Sequence, residues 1–480
     1  MSLAIVPTGV SGLDTIIHGG FPRNSLILVA GNPGTGKTNL SAQFIYRGIV
    51  DYNENGVYVS FSEDRTTFYE NMKMLGFDFE KLENDGRFRY LDFLAVKEDA
   101  VPSVLKSIIE EVNNLKAKRL VIDSWTVLAQ AFENPFETRI VIHSILSRIT
   151  REAGCTTIVI VEIPFGSEKI GLGMEEFVAD SIILLQANEL NDRLYRNLVI
   201  KKMRGKKIHE TKIGFTFHNE LKAALPFKEA LPKNFISKIT VFKPIPDSPE
   251  LFSTGASDLD QLFSGGYSRG SSILFEIGAN VSIPQYHLLL APTAWNFASY
   301  DRGIMIVPSS GVDYTILFKQ AKMAGYSDET INRLLRVCTF RSSLPPTNPC
   351  IIEFDGRDIE SDFQKYINLR DEIHKTKGQP LLHIIGIDKL ITHYSVNDAL
   401  KVLNSSVTMA RQRGDLCIFV LKPCYYNVSD VLSSFADIHL KIIREHGAIL
   451  VFGVKPRTHL NFVELDLSKG YPLPKLTPIL

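Results

Sequence analysis

The first half of the chain alternates short apolar runs with segments of helical spacing. Five runs have the length of buried strands, at residues 26–30, 57–61, 120–122, 157–161 and 182–185. Between the third and the fourth run, residues 138–153 place apolar side chains at the spacing of a helix. Strands that alternate with helices are typical of a mainly parallel sheet with helices on both faces. The pattern therefore predicts an α/β fold.

The chain repeats its motifs after about 250 residues, a period far longer than that of a solenoid. The segment TGVSGLD at 8–14 returns as TGASDLD at 254–260, and each copy precedes a Gly-Gly pair, an arginine and an apolar run. The segment FVAD at 177–180 returns as FAD at 435–437. The repeat predicts two tandem domains of one fold.

A proline-rich stretch separates the two copies. Prolines stand at positions 232, 244, 246 and 249, and proline favours extended backbone both in itself and in the residue before it. We therefore predict a first domain over 1–228, a linker over 229–250 and a second domain over 251–480. A length of 480 residues suits two domains of about 200 residues or more.

Composition narrows the class of partner. Lys and Arg total 53, as do Asp and Glu, so no global charge draws the chain to nucleic acid or to an anionic membrane. The N-terminus shows no signal peptide, and no apolar run is long enough to span a bilayer. Five scattered cysteines without a CxxC pair predict reduced thiols and no zinc site. We expect a cytoplasmic protein without membrane contact.

The clearest chemistry follows the first apolar run. Residues 31–38 read GNPGTGKT, which fits the Walker A pattern G-x-x-x-x-G-K-[ST], and a helical pattern follows. Glycines let successive N–H groups and a helix N-terminus approach phosphate oxygens. We expect Lys37 to neutralise the β- and γ-phosphates and the Thr38 hydroxyl to hold Mg²⁺. The candidate ATP-binding residues are Gly31, Asn32, Pro33, Gly34, Thr35, Gly36, Lys37 and Thr38.

Two other apolar runs end in carboxylates. Asp123 follows the run at 120–122, at the edge where open α/β sheets bind ligands, and we expect it to orient Mg²⁺ through a water. Glu63 follows the run at 57–61 and is the candidate that polarises the attacking water in ATP hydrolysis. A solvated acidic loop is the alternative interpretation of Glu63.

In this order the motifs resemble those of the KaiC family within the RecA-like ATPases. The resemblance covers nearly all of residues 5–220 and, more faintly, 251–475, and it includes VSFSE at 59–63, IDS at 122–124, EEFVAD at 175–180 and KMRG at 202–205. It implies two tandem RecA-like P-loop domains with mainly parallel central sheets, hexameric rings and ATP at subunit interfaces. In that family two glutamates follow the second strand; here Ser62 replaces the first and Glu63 matches the second, which bears on the hydrolysis rate rather than on ATP binding.

Lys202 and Arg204 match the family's Lys-x-Arg finger, which reaches the γ-phosphate of the neighbouring subunit. A rigid strand end that carries these side chains suits charge stabilisation in phosphoryl transfer. Lys201, Lys206 and Lys207 enlarge the cluster, so a solvated basic surface and a nucleic-acid patch remain alternatives.

The second half departs from the family at the phosphate loop. Pro284 stands where the first half has Lys37, and Gln285 stands where it has Thr38. Proline removes an N–H as well as the charge, so we predict a RecA-like scaffold that neither turns over nucleotide nor acts as an autokinase. Asp388 and the segment KPR at 455–457 still match the acid and the finger of the first half.

Our favoured hypothesis is a KaiC-like protein with ATP and Mg²⁺ as cofactors. Its first domain hydrolyses ATP slowly and drives a regulatory or signalling switch in a homo-hexameric ring that acts on a protein partner. One alternative is a RecA/RadA-like DNA-binding ATPase of recombination or repair, which the balanced charge disfavours. The other is an ATP sensor or scaffold without hydrolysis, which Ser62 suggests.

Overall fold

The computed structural model describes residues 4–94, 100–130, 150–151, 154–167, 170, 175–229, 240–341 and 348–480. The chain divides into two compact units, residues 1–225 with 478–480 and residues 226–477. Most of the predicted helix at 138–153 and residues 230–239 of the predicted linker lie outside the described ranges. Further along that linker, Phe242 is buried in the core of the second unit. The proposed domain limits remain predictions.

The first unit has a large sheet whose described strands follow the order β11-β10-β9-β8-β3-β7-β6-β4-β5. The strands from β8 to β5 are parallel, and β9, β10 and β11 continue the sheet antiparallel. The strands are β1 (Ile5–Val6), β2 (Phe21–Pro22), β3 (Leu26–Gly31), β4 (Gly56–Ser60), β5 (Phe88–Asp92), β6 (Arg119–Asp123), β7 (Thr156–Glu162), β8 (Ser181–Leu190), β9 (Arg193–Met203), β10 (Lys212–Thr216) and β11 (Lys222–Ala223). The helices are α1 (Leu13–Ile16), α2 (Lys37–Tyr52), α3 (Arg65–Met74), α4 (Phe79–Asn84), α5 (Val101–Asn114), α6 (Trp125–Gln130) and α7 (Glu175–Val178).

Helices cover this sheet on both faces. Ile27 and Val29 of β3 lie in one apolar cluster with residues of α2, α3 and α4, whereas Leu26 and Leu28 lie in the opposite cluster with residues of α5 and α6. Successive strand residues face opposite sides, so a run without polar positions means burial on both. The predicted α/β fold with a mainly parallel central sheet is confirmed.

The second unit has the same layout, with the strand order β17-β16-β15-β18-β19-β14-β20-β21-β22-β23. Its strands are β12 (Leu251–Phe252), β13 (Tyr267–Ser268), β14 (Ser272–Ile277), β15 (Ile304–Val307), β16 (Leu335–Phe340), β17 (Ile351–Phe354), β18 (Leu382–Gly386), β19 (Leu416–Leu421), β20 (Ile438–Glu445), β21 (Ala448–Lys455), β22 (Asn461–Asp466) and β23 (Leu473–Pro478). Its helices are α8 (Ser257–Leu262), α9 (Ile283–Ser299), α10 (Tyr314–Met323), α11 (Asp328–Leu334), α12 (Ile359–Lys377), α13 (Ile387–His393), α14 (Val396–Arg413) and α15 (Ser429–Phe435). Within the described parts of both units, no helix is long and apolar enough to cross a membrane.

The repeated motifs make the same hydrogen bonds in both units. Each motif ends in an aspartate that accepts a backbone N–H. The pairs are Asp14 with Thr8 (2.8 Å), Asp260 with Thr254 (2.7 Å), Asp180 with Leu26 (3.1 Å) and Asp437 with Ser272 (2.8 Å). The first pair in each unit fixes the N-terminal turn, and the second fixes the start of the central strand. The repeat seen in the sequence is thus a structural repeat.

A buried ion pair connects β6 to the end of α2. Arg119 is fully buried and donates from Nε to Glu54 Oε2 at 2.9 Å and from Nη1 to Phe44 O at 2.8 Å. Burial lowers the pKa of Arg119, and the charge of Glu54 opposes that shift. Glu54 also accepts from Arg23 at 2.9 Å, but the Arg23 side chain is 37% exposed. One carboxylate therefore serves a buried and an exposed arginine.

We predict that Arg119→Ala lowers the free energy of unfolding of the first unit by about 3–5 kcal/mol, because it breaks a buried charge pair. Arg23→Ala is the matched control and should cost less than about 1 kcal/mol, as exposed pairs do. Urea denaturation followed by Trp125 emission, in a Trp295→Phe background, measures both. Equal losses in the two variants would contradict the assignment.

Candidate nucleotide site

The glycine-rich loop at 31–38 joins β3 to α2, as the sequence predicts. Gly36 has φ of +96°, and a Cβ at that position would lie 2.0 Å from Phe217 Cζ. Gly34 has φ of +78°, which side chains also disfavour. Both positions therefore require glycine, and the loop leaves its backbone free to approach a ligand.

Lys37 lies across its own loop. Its Nζ donates to Asn32 O at 3.0 Å, and Asn32 Nδ2 donates to Ile163 O at 2.9 Å, just beyond β7. Burial lowers the pKa of Lys37, whereas the charges of Glu162 and Asp123 raise it. A buried cation that is held at a helix N-terminus suits a phosphate ligand.

The predicted metal ligands meet at the carboxyl edge of the sheet. Thr38 Oγ1 donates to Asp123 Oδ2 at 2.8 Å, and Tyr58 OH donates to the same oxygen at 2.7 Å. Asp123 is the last residue of β6 and is only 8% exposed. Burial raises its pKa, against the hydrogen bonds from Tyr58 and Thr38 and the charge of Lys37. A hydroxyl that faces a carboxylate offers the oxygen donors that Mg²⁺ prefers, so these residues fit the ion.

Glu63 lies three residues beyond β4 and is half-buried. Its Oε1 accepts from Asn71 Nδ2 of α3 at 2.7 Å. Burial raises the pKa of Glu63, and the Asn71 bond opposes the shift. Asp64 instead caps α3 and accepts from Thr67 N at 3.0 Å, while Ser62 is exposed. Asp64 is therefore committed to capping α3. Glu63 caps no helix within the described ranges, so its second carboxylate oxygen does not serve that role.

Lys202 and Arg204 lie at the other end of the sheet from the phosphate loop, where the parallel strands begin. Lys202 pairs with Ile182, and Ile182 pairs with Leu28 of β3. From Leu28 the strand continues to Gly31 before the loop begins, about 10 Å away at the usual rise per residue. Arg204 lies two residues further from the loop. Neither side chain is placed to reach a nucleotide on its own phosphate loop.

Both basic side chains rest on the segment around α7. Lys202 Nζ donates to Glu176 O at 2.9 Å, and Arg204 contacts Asp180 Oδ1 at 3.5 Å with a side chain that is 55% exposed. Lys206, by contrast, donates to Ile17 O at 2.7 Å. The basic cluster is thus not one uniform solvated surface, because at least one of its members anchors the N-terminal turn.

Three residues of the site were not singled out from the sequence. Tyr58 could have been suspected, because a buried phenol needs a partner. Glu162 ends β7 and pairs in register with Gly31, and an acid at the end of an apolar run was a visible signal. Asn71 gave no signal, since only the packing of α3 brings it to Glu63.

The corresponding loop of the second unit is closed by its own chain. Pro284 and Gln285 lie in the first turn of α9, and Gln285 Oε1 accepts from Ser282 N at 2.9 Å. This is half of a capping box, and it uses an N–H at the helix start. The cation and the hydroxyl of the first unit's loop have no counterpart at these two positions.

The acid of the second unit that matches Asp123 in sequence also lies at a different position in the fold. Asp388 lies in the first turn of α13 rather than at the end of β18, and it accepts from Ser310 N at 2.7 Å. Lys422, just beyond β19, donates to Ser310 O. The sequence match of Asp388 to Asp123 is therefore not a match of position on the strand.

Comparison with known proteins gives two matching family models. One is described as the KaiC ATPase and matches residues 6–222; the other is described as GvpD basic region 2 and matches residues 241–323. In this chain the second region holds fewer Lys and Arg than Asp and Glu. The net charge of this region is therefore negative in this chain, although the description of the family model calls the region basic.

Individual relatives match mainly the first unit. A UPF0273 protein of Methanocaldococcus jannaschii is 36% identical over 214 residues, which cover 42% of this chain and 87% of that relative. The circadian clock oscillator protein KaiC of Prochlorococcus marinus subsp. pastoris is 29% identical over 283 residues, 57% of this chain and 53% of KaiC. The crystal structure of a KaiC-like protein from Pyrococcus horikoshii OT3 is 37% identical, covers 46% of this chain and 99% of that chain, and has a TM-score of 0.43.

The geometry predicts that Asp123→Asn raises the stability of the ligand-free protein at neutral pH. The folded state holds the Asp123 proton more tightly than the unfolded chain, so this residue's stabilising contribution exists at low pH and is lost as the pH rises through the raised pKa. The amide avoids that loss and still accepts from Thr38 and Tyr58.

Thermal unfolding without nucleotide, as a function of pH, measures the gain, which should shrink as the pH falls. Asp64→Asn is the control: the N–H of Thr67 lowers the pKa of Asp64, so removing that charge should bring no gain. A loss of stability in Asp123→Asn at neutral pH would refute the prediction.

Proposed function

This chain belongs to the KaiC-like family of RecA-superfamily P-loop ATPases, and from that premise we propose that its first unit binds ATP with Mg²⁺ and hydrolyses it slowly. The observation that carries the proposal is the buried contact of Asp123 with Thr38, directly behind the glycine-rich loop. The loop amides and Lys37 bind the phosphates, and Thr38 and Asp123 hold the metal. When bound, Mg²⁺ neutralises charge on the phosphate oxygens.

Glu63 is the proposed general base. It takes the proton of the attacking water, and Asn71 fixes the direction of its carboxylate. A raised pKa brings a carboxylate closer to the proton affinity that general-base catalysis uses near neutral pH. Ser62 supplies no second acid beside it, which supports slow turnover. The rate thus depends on one carboxylate whose position comes from α3.

Lys202 and Arg204 are the proposed finger that acts on a neighbouring subunit. The register of β8 and β9 holds them at the edge of the sheet away from their own phosphate loop. In a ring, that edge of one subunit can face the loop edge of the next, and a cation supplied in this way stabilises the transition state. This geometry supports ATP at subunit interfaces, and the family resemblance is the basis for proposing a homo-hexamer.

The second unit is the proposed regulatory part. It keeps the fold, but Gln285 occupies the helix start that would face a phosphate. We propose that nucleotide turnover in the first unit drives a conformational switch that the ring presents to a protein partner. DNA-dependent hydrolysis is the competing function, and the anchoring of Lys206 on Ile17 speaks against an open nucleic-acid patch.

We predict that Glu63→Gln slows hydrolysis about 10²- to 10⁴-fold and leaves ATP affinity within a few-fold, because a positioned base contributes that much. Single-turnover hydrolysis and equilibrium binding, with Asp64→Asn as the matched control, measure the two quantities. Unchanged hydrolysis in Glu63→Gln would remove the role from Glu63. Absence of hydrolysis in the wild type would turn the proposal into one of an ATP sensor.

We predict that Lys37→Ala and Arg204→Ala each lose ATPase activity, and that mixing the two variants restores part of it. An interface between the intact loop of an Arg204→Ala subunit and the intact finger of a Lys37→Ala subunit is complete. Steady-state rates of each variant and of an equimolar mixture provide the test. Lys201→Ala, an exposed neighbour on the same strand, should behave as the wild type. A mixture no more active than its components would contradict catalysis between subunits.

A further inference from the structure

The second unit contains a cavity of about 90 Å³ between α9, α10 and α11 and the strands β15 and β18. Most of its lining is apolar, with Ala291, Ala294 and Trp295 on α9, Ile304 and Ile306 on β15 and Leu317 on α10. The cavity lies wholly within one unit. It is independent of the nucleotide site proposed for the first unit.

The same place in the first unit is filled by aromatic rings. There, between α2, α3, α4 and the sheet, Phe68 lies 4.6 Å from Tyr58, 4.7 Å from Tyr90 and 5.3 Å from Phe79, measured between ring centroids. In the second unit, α9 presents alanines to the corresponding space. The common topology thus encloses a volume that one unit fills with its own side chains and the other does not.

The exposure of helix α10 indicates that side chains do not fill this volume. Tyr314, Leu317, Phe318 and Ala321 form a stripe at helical spacing, yet α10 has no fully buried residue. Its counterpart α3 buries Phe68 and Met72. An apolar stripe that stays half-exposed can gain burial from a ligand, at about 25 cal/mol per Å² of apolar surface removed from water.

The polar groups at the cavity define the class of ligand. Tyr286 OH and Ser309 Oγ are 3.1 Å apart and share one hydrogen bond, which uses one of their two O–H hydrogens. Gln320 contacts His287 Nδ1, and burial lowers the pKa of His287 to about 4, so the ring is neutral at pH 7. Among the described lining residues none is Lys, Arg, Asp or Glu. Lys422 Nζ lies 5.9 Å from the centre of the Tyr286 ring and is not itself a lining residue, so a charged ligand would have no direct ion pair with the lining.

We propose that this cavity binds a compact, uncharged, apolar molecule with one hydrogen-bonding group, whose ring packs against Trp295 and the alanines of α9. The polar group of the ligand meets the hydroxyls of Tyr286 and Ser309. Water could meet the same two hydroxyls, but the largely apolar lining offers few others of the two to four polar partners that it needs. A dry apolar cavity of about 150 Å³ binds benzene. At about 90 Å³ this cavity is smaller, so we expect at most one six-membered ring, with part of the ligand in the opening beside α10.

Trp295 lines the cavity and reports binding directly. In a Trp125→Phe background it is the one remaining tryptophan of the chain. Titration with cyclohexanol, which does not absorb with tryptophan, should shift Trp295 emission saturably, with a Kd of about millimolar for so small a ligand. Myo-inositol and cyclohexanecarboxylate, a polar and a charged ring of similar size, should leave the emission unchanged.

Ala294→Leu fills the cavity and should weaken cyclohexanol binding by about tenfold or more without loss of thermal stability, because it adds apolar atoms to an empty space. Ser405→Leu makes a similar change on an exposed face of α14 and should bind as the parent does. Thermal shifts of the chain with both tryptophans serve as a second readout. Binding that is absent in the parent, or equal in Ala294→Leu, would overturn the proposal.

Discussion

The buried carboxylate of Asp123 is the group on which the first unit's site depends. Desolvation opposes its charge, and Thr38 from α2 and Tyr58 from β4 supply the donors that compensate. These bonds join the helix after the glycine-rich loop to two strands of the sheet. Because parallel strands end at one edge, the same carboxylate can also face a metal on the phosphates. The contact is structural, and in the proposed function it also holds the metal.

The second unit shows what the fold retains when that contact is absent. Its central strand β14 still lies between β19 and β20 and still starts at the bond to Asp437. The apolar faces of the strands therefore maintain the architecture without the phosphate loop. The second unit has no lysine at the position of Lys37. Instead Lys422, just beyond β19, contacts the loop after β15. The site could change because the core does not depend on it.

Because the core does not depend on the site, some features could be predicted from the sequence and others could not. The glycine-rich loop and Asp123 were predictable because local motifs and strand ends determine their positions. The contact of Asn71 with Glu63 depends on the packing of α3, and the distance of Lys202 and Arg204 from their own loop depends on strand register. No local pattern specifies either. Asp388 matched by sequence, yet it lies in the first turn of α13, because β18 ends at Gly386. The cavity beside α10 followed from no motif, since it is defined by side chains that are small.

The central claim is that this chain carries a single phosphate-loop nucleotide site, formed around Lys37 and Asp123, in a fold that it contains twice. Counting ATP per chain tests it most directly. Equilibrium dialysis of the full chain with Mg²⁺ and non-hydrolysable ATP analogue should give one nucleotide per chain and none in Lys37→Ala. Two nucleotides per chain, or one retained in Lys37→Ala, would contradict the account.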